Sequence, residues 1–167
     1  MSVVLIGFMG AGKTTVGRAL SEKLGWPVWD TDELIQQKAG CTVSEIFERH
    51  GEACFRKMEQ DLLKELACRR EKGVVSTGGG MPVYAANRPL LQEIGPVIYL
   101  KVKPETVLFR LKGDHTRPLL QGDGARDRVY ELLKEREAAY QDAAGIVLEA
   151  DEKSAEELAE EIKERMI

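Results

Sequence analysis

Apolar and polar positions along this chain fall in blocks rather than in strict alternation. Short apolar runs recur at Val3–Ile6, Pro27–Trp29, Gly73–Ser76, Val97–Leu100 and Ile146–Leu148. They are mostly β-branched and do not alternate, which predicts strands covered on both faces. Helical patterns lie between them. Thr14–Leu24 follows the first run. Thr42-Val-Ser-Glu45 reads as a capping box that opens a long helix. Further along, Cys54, Met58, Leu62 and Leu66 fall every four residues, as one apolar row. A second capping box, Ser154-Ala-Glu-Glu157, opens the last helix, whose acidic residues read as a solvated face. Strands alternating with helices predict an α/β fold with a parallel sheet and right-handed crossovers. Two stretches break the alternation. Asp32 to about Arg70 is too long for one crossover helix and predicts an inserted helical lobe. Lys112–Ala125 holds three glycines, a proline and mixed charges, and predicts a mobile loop of lid length.

The first apolar run leads into Gly7-Phe-Met-Gly-Ala-Gly-Lys13-Thr14, which matches G-x-x-x-x-G-K-[ST] at every fixed position. Glycines there let backbone N–H groups wrap phosphate oxygens, and the helix that follows favours the anion through its dipole. Gly10, Ala11, Gly12, Lys13, Thr14 and Thr15 are the expected nucleotide contacts. Lys13 is placed to reach the β- and γ-phosphates, and the Thr14 hydroxyl to ligate Mg²⁺. The strand before and the helix after distinguish this from a glycine turn with a stray lysine.

Five further patterns gain meaning beside a phosphate loop. Asp30 and Asp32 sit just past the second strand, at the sheet edge where open α/β folds bind ligands. Two carboxylates two residues apart in an extended stretch face the same way, one toward Mg²⁺ through water and one toward a substrate hydroxyl. The plainer alternative is helix capping. Arg56 lies about 200° round the helix from Cys54 and so points away from the apolar row. Gly78, Gly79 and Gly80 follow the third strand, where a backbone must approach a ligand closely. Arg117 lies in the lid segment, where it can neutralise charge on a transferred phosphoryl group. Arg136 and Tyr140 stand four apart on one helix face, with an arginine fork suited to a carboxylate. Alone, either Arg56 or Arg136 would read as a solvated surface charge.

Composition narrows the classes. At 167 residues the chain is expected to be one domain with a real core. A net charge of −4 gives no support to a nucleic-acid surface or a large anionic-membrane patch. Cys41, Cys54 and Cys68 form no C-x-x-C, so reduced thiols in a cytoplasmic protein fit better than disulfides or zinc. No stretch reads as a signal peptide or reaches transmembrane length. His50 and His115 have no metal-ligand spacing around them. Trp26 and Trp29 flank the second strand and read as packing residues.

The order of these pieces resembles the shikimate kinase family. The motifs are Gly7–Thr14, Asp30-x-Asp32, Gly51-Glu-x-x-Phe-Arg56, Gly78–Gly80, Arg117-Pro-Leu119 and Arg136-x-x-x-Tyr140, spread over residues 1 to about 145. The resemblance implies a three-layer P-loop fold: a five-stranded parallel sheet flanked by helices, a substrate lobe over about 32–70 and a mobile lid over about 112–125. It implies phosphorylation of the 3-hydroxyl of shikimate by ATP with Mg²⁺, on the route to chorismate and the aromatic amino acids, by a monomer. It implies that Thr14 and Asp30 serve Mg²⁺, and that Asp32 bonds the shikimate hydroxyls. Arg56 and Arg136 would bind its carboxylate, with backbone contacts from Gly78, Gly79 and Gly80, Gly79 foremost. Lys13, Asp32 and Arg117 would carry the chemistry, with Arg117 also meeting ATP. No residue is singled out for the adenine. Two alternatives remain: another small-molecule kinase such as a gluconate kinase, and a nucleotide-binding regulatory domain without catalysis. The paired arginines and the glycine run argue against the first. Intact Lys13, Thr14, Asp32 and Arg117 argue against the second.

Overall fold

The computed structural model describes residues 1–112 and 122–166. Five strands, β1 (Val3–Ile6), β2 (Val28–Asp30), β3 (Val74–Ser76), β4 (Val97–Lys101) and β5 (Ile146–Glu149), form one parallel sheet in the order β2-β3-β1-β4-β5. All five predicted strands are present, with their ends moved by a residue or so. Among the described residues seven helices flank them: α1 (Lys13–Leu24), α2 (Thr31–Ala39), α3 (Val43–Cys68), α4 (Asn87–Ile94), α5 (Pro104–Arg110), α6 (Ala125–Ala143) and α7 (Ala155–Arg165). A 3₁₀ turn at Met81–Val83 leads from β3 toward α4. α1 packs against α7 in one layer, and α3, α4 and α6 pack side by side in the other.

The central strand explains the continuous apolar runs. Val3, Val4, Leu5 and Ile6 are all fully buried, because helices cover both faces of the sheet. Trp29 on β2 lies over Gly73, where a Cβ would fall 2.6 Å from its ring, and Arg69 covers the indole at 4.8 Å. The tryptophan is therefore a packing residue, as the sequence suggested. Among the described residues no helix is long and apolar enough to cross a membrane.

Helix ends follow their chemistry. The capping box at Ser154 is complete: Glu157 N–H donates to Ser154 Oγ at 3.1 Å, and Ser154 N–H to the Glu157 carboxylate at 2.8 Å. At Thr42 only the hydroxyl half forms, accepting from Glu45 N–H at 3.2 Å, while the Glu45 carboxylate lies 3.9 Å from Arg49. The long helix α3 is broken inside. Gly51 takes φ 82°, ψ 170°, which ends one helical stretch and starts another in a new direction.

That break belongs to a correction of the predicted apolar row. The buried face of α3 is Phe55, Glu59, Leu62, Leu63 and Leu66, while Cys54 and Met58 are only half-buried. A four-residue step turns about 400°, so a row kept at that spacing drifts about 40° per step off any one face. The 55, 59, 62, 66 spacing stays on the face, and its one charged member conceals it.

Candidate active site

A cleft of about 280 Å³ opens at the carboxyl ends of β1, β2 and β3, lined by Phe8–Gly10, Gly12–Thr15, Asp30, Asp32 and Ser76–Gly79, with Leu111. It lies where strand order departs from chain order, the expected position of a ligand in such a sheet. Gly10 (φ 77°) and Gly12 (φ 91°) hold left-handed backbone, and Gly12 directly precedes α1. No side chain caps α1, so its first N–H groups face the cleft mouth. Lys13 Nζ donates to the carbonyls of Gly7 and of Phe8, the latter at 3.2 Å, which holds the ammonium over the turn.

Asp30 and Asp32 both line this cleft, but not from an extended stretch. Asp30 is the last residue of β2 and the N-cap of α2, its Oδ1 accepting from the N–H groups of Asp32 (3.0 Å) and Glu33 (3.1 Å). Asp32 is in the first turn of α2. The helix turn, rather than strand alternation, brings the two carboxylates to the same opening. Between them, buried Thr31 accepts from Gly78 N–H at 3.0 Å and ties this corner to the glycine run.

The glycine run gathers the remaining predicted residues. A Cβ at Gly78 would stand 3.0 Å from Asp32 Oδ1. One at Gly79 would be 3.4 Å from Arg136 Nη1, and one at Gly80 2.9 Å from Arg56 Nη2. Side chains from α2, α6 and α3 thus converge on three consecutive residues. Tyr140, four residues after Arg136 on α6, donates its buried hydroxyl to Gly79 O at 2.7 Å. Burial raises the Tyr140 phenol above its ordinary value, partly offset by Arg136. The Arg136 guanidinium also lies 5.6 Å from the Phe8 ring.

Arg56 is not a solvated charge; its side chain is 20% exposed. It donates to the buried Glu59 carboxylate at 2.6 Å and lies 4.8 Å from the Tyr84 ring and 5.2 Å from that of Phe55. Its Nε is buried without a hydrogen-bond partner, 3.5 Å from the Glu52 carboxylate. Burial alone would lower the Arg56 pKa, but Glu59 outweighs it and holds the group above its ordinary value. Burial pushes the Glu59 carboxyl up, with Arg56 pulling the other way and Asp32 adding to the rise. The sequence reading missed Glu59, Tyr84 and Thr31. Only Glu59 had a local signal, the i, i+3 spacing from Arg56.

Arg110 was missed as well. From the end of α5 it donates to Gly10 O (3.0 Å) and Ala150 O (3.1 Å), strapping the phosphate turn to the segment after β5. It lines a second opening of about 320 Å³ with Ala11, Gly12, Thr15, Lys153 and Ser154, on the α7 side of the turn. Arg117, and most of the predicted lid, lie outside the described residues.

A family model for shikimate kinase matches residues 9–167. The chain is 46% identical over 165 residues to the shikimate kinase of Moorella thermoacetica, covering 99% of this chain and 94% of the relative. It is similar in structure to shikimate kinase from Acinetobacter baumannii in complex with shikimate, with TM-score 0.91 and 41% identity, covering 99% of this chain and 92% of the other. The shikimate kinase of Aquifex aeolicus superposes with TM-score 0.86 at 37% identity, covering 99% and 96%.

Proposed function

The chain belongs to the shikimate kinase family, and on that premise we propose how its residues divide the transfer of the terminal phosphoryl of ATP to the 3-hydroxyl of shikimate. The observation that carries the reading is the convergence of Asp32, Arg56 and Arg136 on Gly78–Gly80, beside the phosphate turn. A small ring acid with several hydroxyls needs a carboxylate clamp, a hydroxyl acceptor and close backbone, and these residues are that set.

The phosphate turn binds the triphosphate through the N–H groups of Gly10–Thr15, with Lys13 released from its carbonyls onto the β- and γ-phosphates. The second opening, between Arg110 and Ser154, takes the nucleoside, because it adjoins the same turn on the side away from Asp30. Arg56 and Arg136 grip the shikimate carboxylate with charge-assisted bonds. Asp32 accepts from the hydroxyls and orients the attacking oxygen. Phosphoryl transfer is mostly positioning and charge stabilisation, so Asp32 and Lys13 dominate the rate among the described residues. Arg117 adds its charge to the transferred group.

Mg²⁺ fits the donors present. Thr14 and Asp30 line one cleft with hard oxygen atoms, and one Asp30 oxygen is not used by the α2 cap. Among the described residues no three His, Cys, Asp or Glu side chains form a metal-holding group. That suits an ion that keeps its waters and arrives with the phosphates. When bound it neutralises triphosphate charge.

The protein acts as a cytoplasmic monomer in this reading, on the route to chorismate. ADP release measured with shikimate, gluconate, AMP and no acceptor tests it. A signal only with shikimate is expected, falling by orders of magnitude in Lys13→Ala. Equal turnover of gluconate would return the chain to the wider group of small-molecule kinases.

A further inference from the structure

Three glycines in a row usually mark backbone that other residues cannot adopt. Gly78, Gly79 and Gly80 do not. None has a positive φ, and Gly80 sits at φ −86°, ψ −12°, open to any residue. Their reason must be space.

Each glycine faces a different functional side chain. The distances from a built Cβ are 3.0 Å to Asp32 at Gly78, 3.4 Å to Arg136 at Gly79 and 2.9 Å to Arg56 at Gly80. The second of these ordinary packing can absorb; the first obliges its neighbour to give by a few tenths of an ångström, and the third is too short to keep. The run itself has little room to retreat. Gly78 N–H is held by Thr31, Gly79 O by Tyr140, and the carbonyls of Gly78 and Gly80 accept from Met81 (3.2 Å) and Val83 (3.2 Å) N–H. Arg56 is held by Glu59 and flanked by two rings. Something must move when a methyl is added, and the end of a long side chain moves most easily.

We propose that Gly80 and Gly78 are positioning residues, whose missing Cβ atoms set where the Arg56 guanidinium and the Asp32 carboxylate stand. This rests on the roles proposed above for those two side chains. It assigns the outer glycines a task besides any backbone contact with the substrate: they are bare so that α3 and α2 can lay their charged groups against the run. The acceptor specificity of the site is then set partly by residues with no side chain.

The test is Gly80→Ala, read three ways. Thermal melting should stay near that of the parent. kcat/KM for shikimate should fall about 10- to 100-fold, the loss of one charged hydrogen bond, with KM for ATP nearly unchanged. In an Arg56→Ala background, Gly80→Ala should cause little further loss, because both changes act on one group. A crystal structure of Gly80→Ala should show the guanidinium shifted away from Glu59 or from residue 80. An unmoved guanidinium, or a full second loss in the Arg56→Ala background, overturns the proposal. Should Gly80→Ala not fold, the residue is structural and the proposal fails for it. Gly78→Ala, read against Asp32→Ala in the same way, then decides the remaining half. An Arg56→Ala enzyme with parental kcat/KM would instead sink the carboxylate-clamp reading, and the crystal structure would still judge Gly80.

Discussion

Asp30 caps α2 and, in the proposed site, also serves Mg²⁺, and a pair of substitutions separates the two. One oxygen accepts both cap bonds of α2, and the proposal gives the other to the water shell of Mg²⁺. Asparagine caps as well as aspartate. Asp30→Asn should therefore hold folding stability to within a few tenths of a kcal/mol. It should still raise the Mg²⁺ concentration needed for half-maximal activity. Asp30→Ala should lose about 1 kcal/mol as well. Denaturant melts and Mg²⁺ titrations on both variants measure this, and an unchanged Mg²⁺ requirement in Asp30→Asn leaves only the cap. Glu59 carries a pH prediction. Its folded pKa lies above the ordinary glutamate value because it is buried, so between the two values the folded state binds the extra proton. That contribution is complete below the unfolded pKa and is lost as pH rises through the folded one. The stability of the parent relative to Glu59→Gln should thus fall as pH climbs upward from about 4.3, then level off. Paired denaturation midpoints across that range check it. A constant difference would mean that Arg56 fully offsets the burial. The sequence marked Asp30 by its place after the second strand, and Arg56 only through the motif resemblance. It hid Glu59, because a glutamate three residues after an arginine is a common surface pair.

At the level of elements, the break in α3 sets the direction of the stretch that carries Arg56. Glu52 and Arg56 lie just beyond Gly51, so the direction of the second helical stretch decides where the guanidinium arrives. The Gly51 conformation is one that residues with a Cβ scarcely adopt. Gly51→Ala should cost about 1–3 kcal/mol in a urea melt. It should also weaken shikimate binding more than ATP binding, since the phosphate turn stands on other elements. Unaltered stability would show that the break is imposed from elsewhere in the lobe. This kink was hard to read in advance. A glycine inside a helical pattern costs only about 1 kcal/mol and is often tolerated, so it does not announce a change of direction. Caps were easier, because their donors and acceptors are local: Ser154 and Glu157 meet as their spacing predicts. The carboxyl-edge position of Asp30 and Asp32 was also legible. Their relation was misjudged because α2 begins one residue sooner than an extended stretch would allow.

Across the whole molecule, what could be read from sequence was what the chain keeps close. The strands, the phosphate turn and the helix after it are contiguous, and their apolar runs and glycines point to them directly. The contacts that finish the site join distant parts of the chain: Arg110 to Gly10 and Ala150, Tyr140 to Gly79, Thr31 to Gly78. They exist because the sheet order sets β1 between β3 and β4, so loops far apart in the chain meet at one edge. No single-sequence pattern records such a meeting. The glycine run at that edge has a practical consequence for anyone who engineers this enzyme. Directed libraries are commonly sorted first for expression and heat resistance, and only the survivors are assayed. Alanine at positions 78 or 80 would pass such a sort, since what yields is the tip of a side chain rather than the packed sheet behind it. A campaign run in that order would carry forward well-behaved but weakened catalysts without any warning from the melting curves.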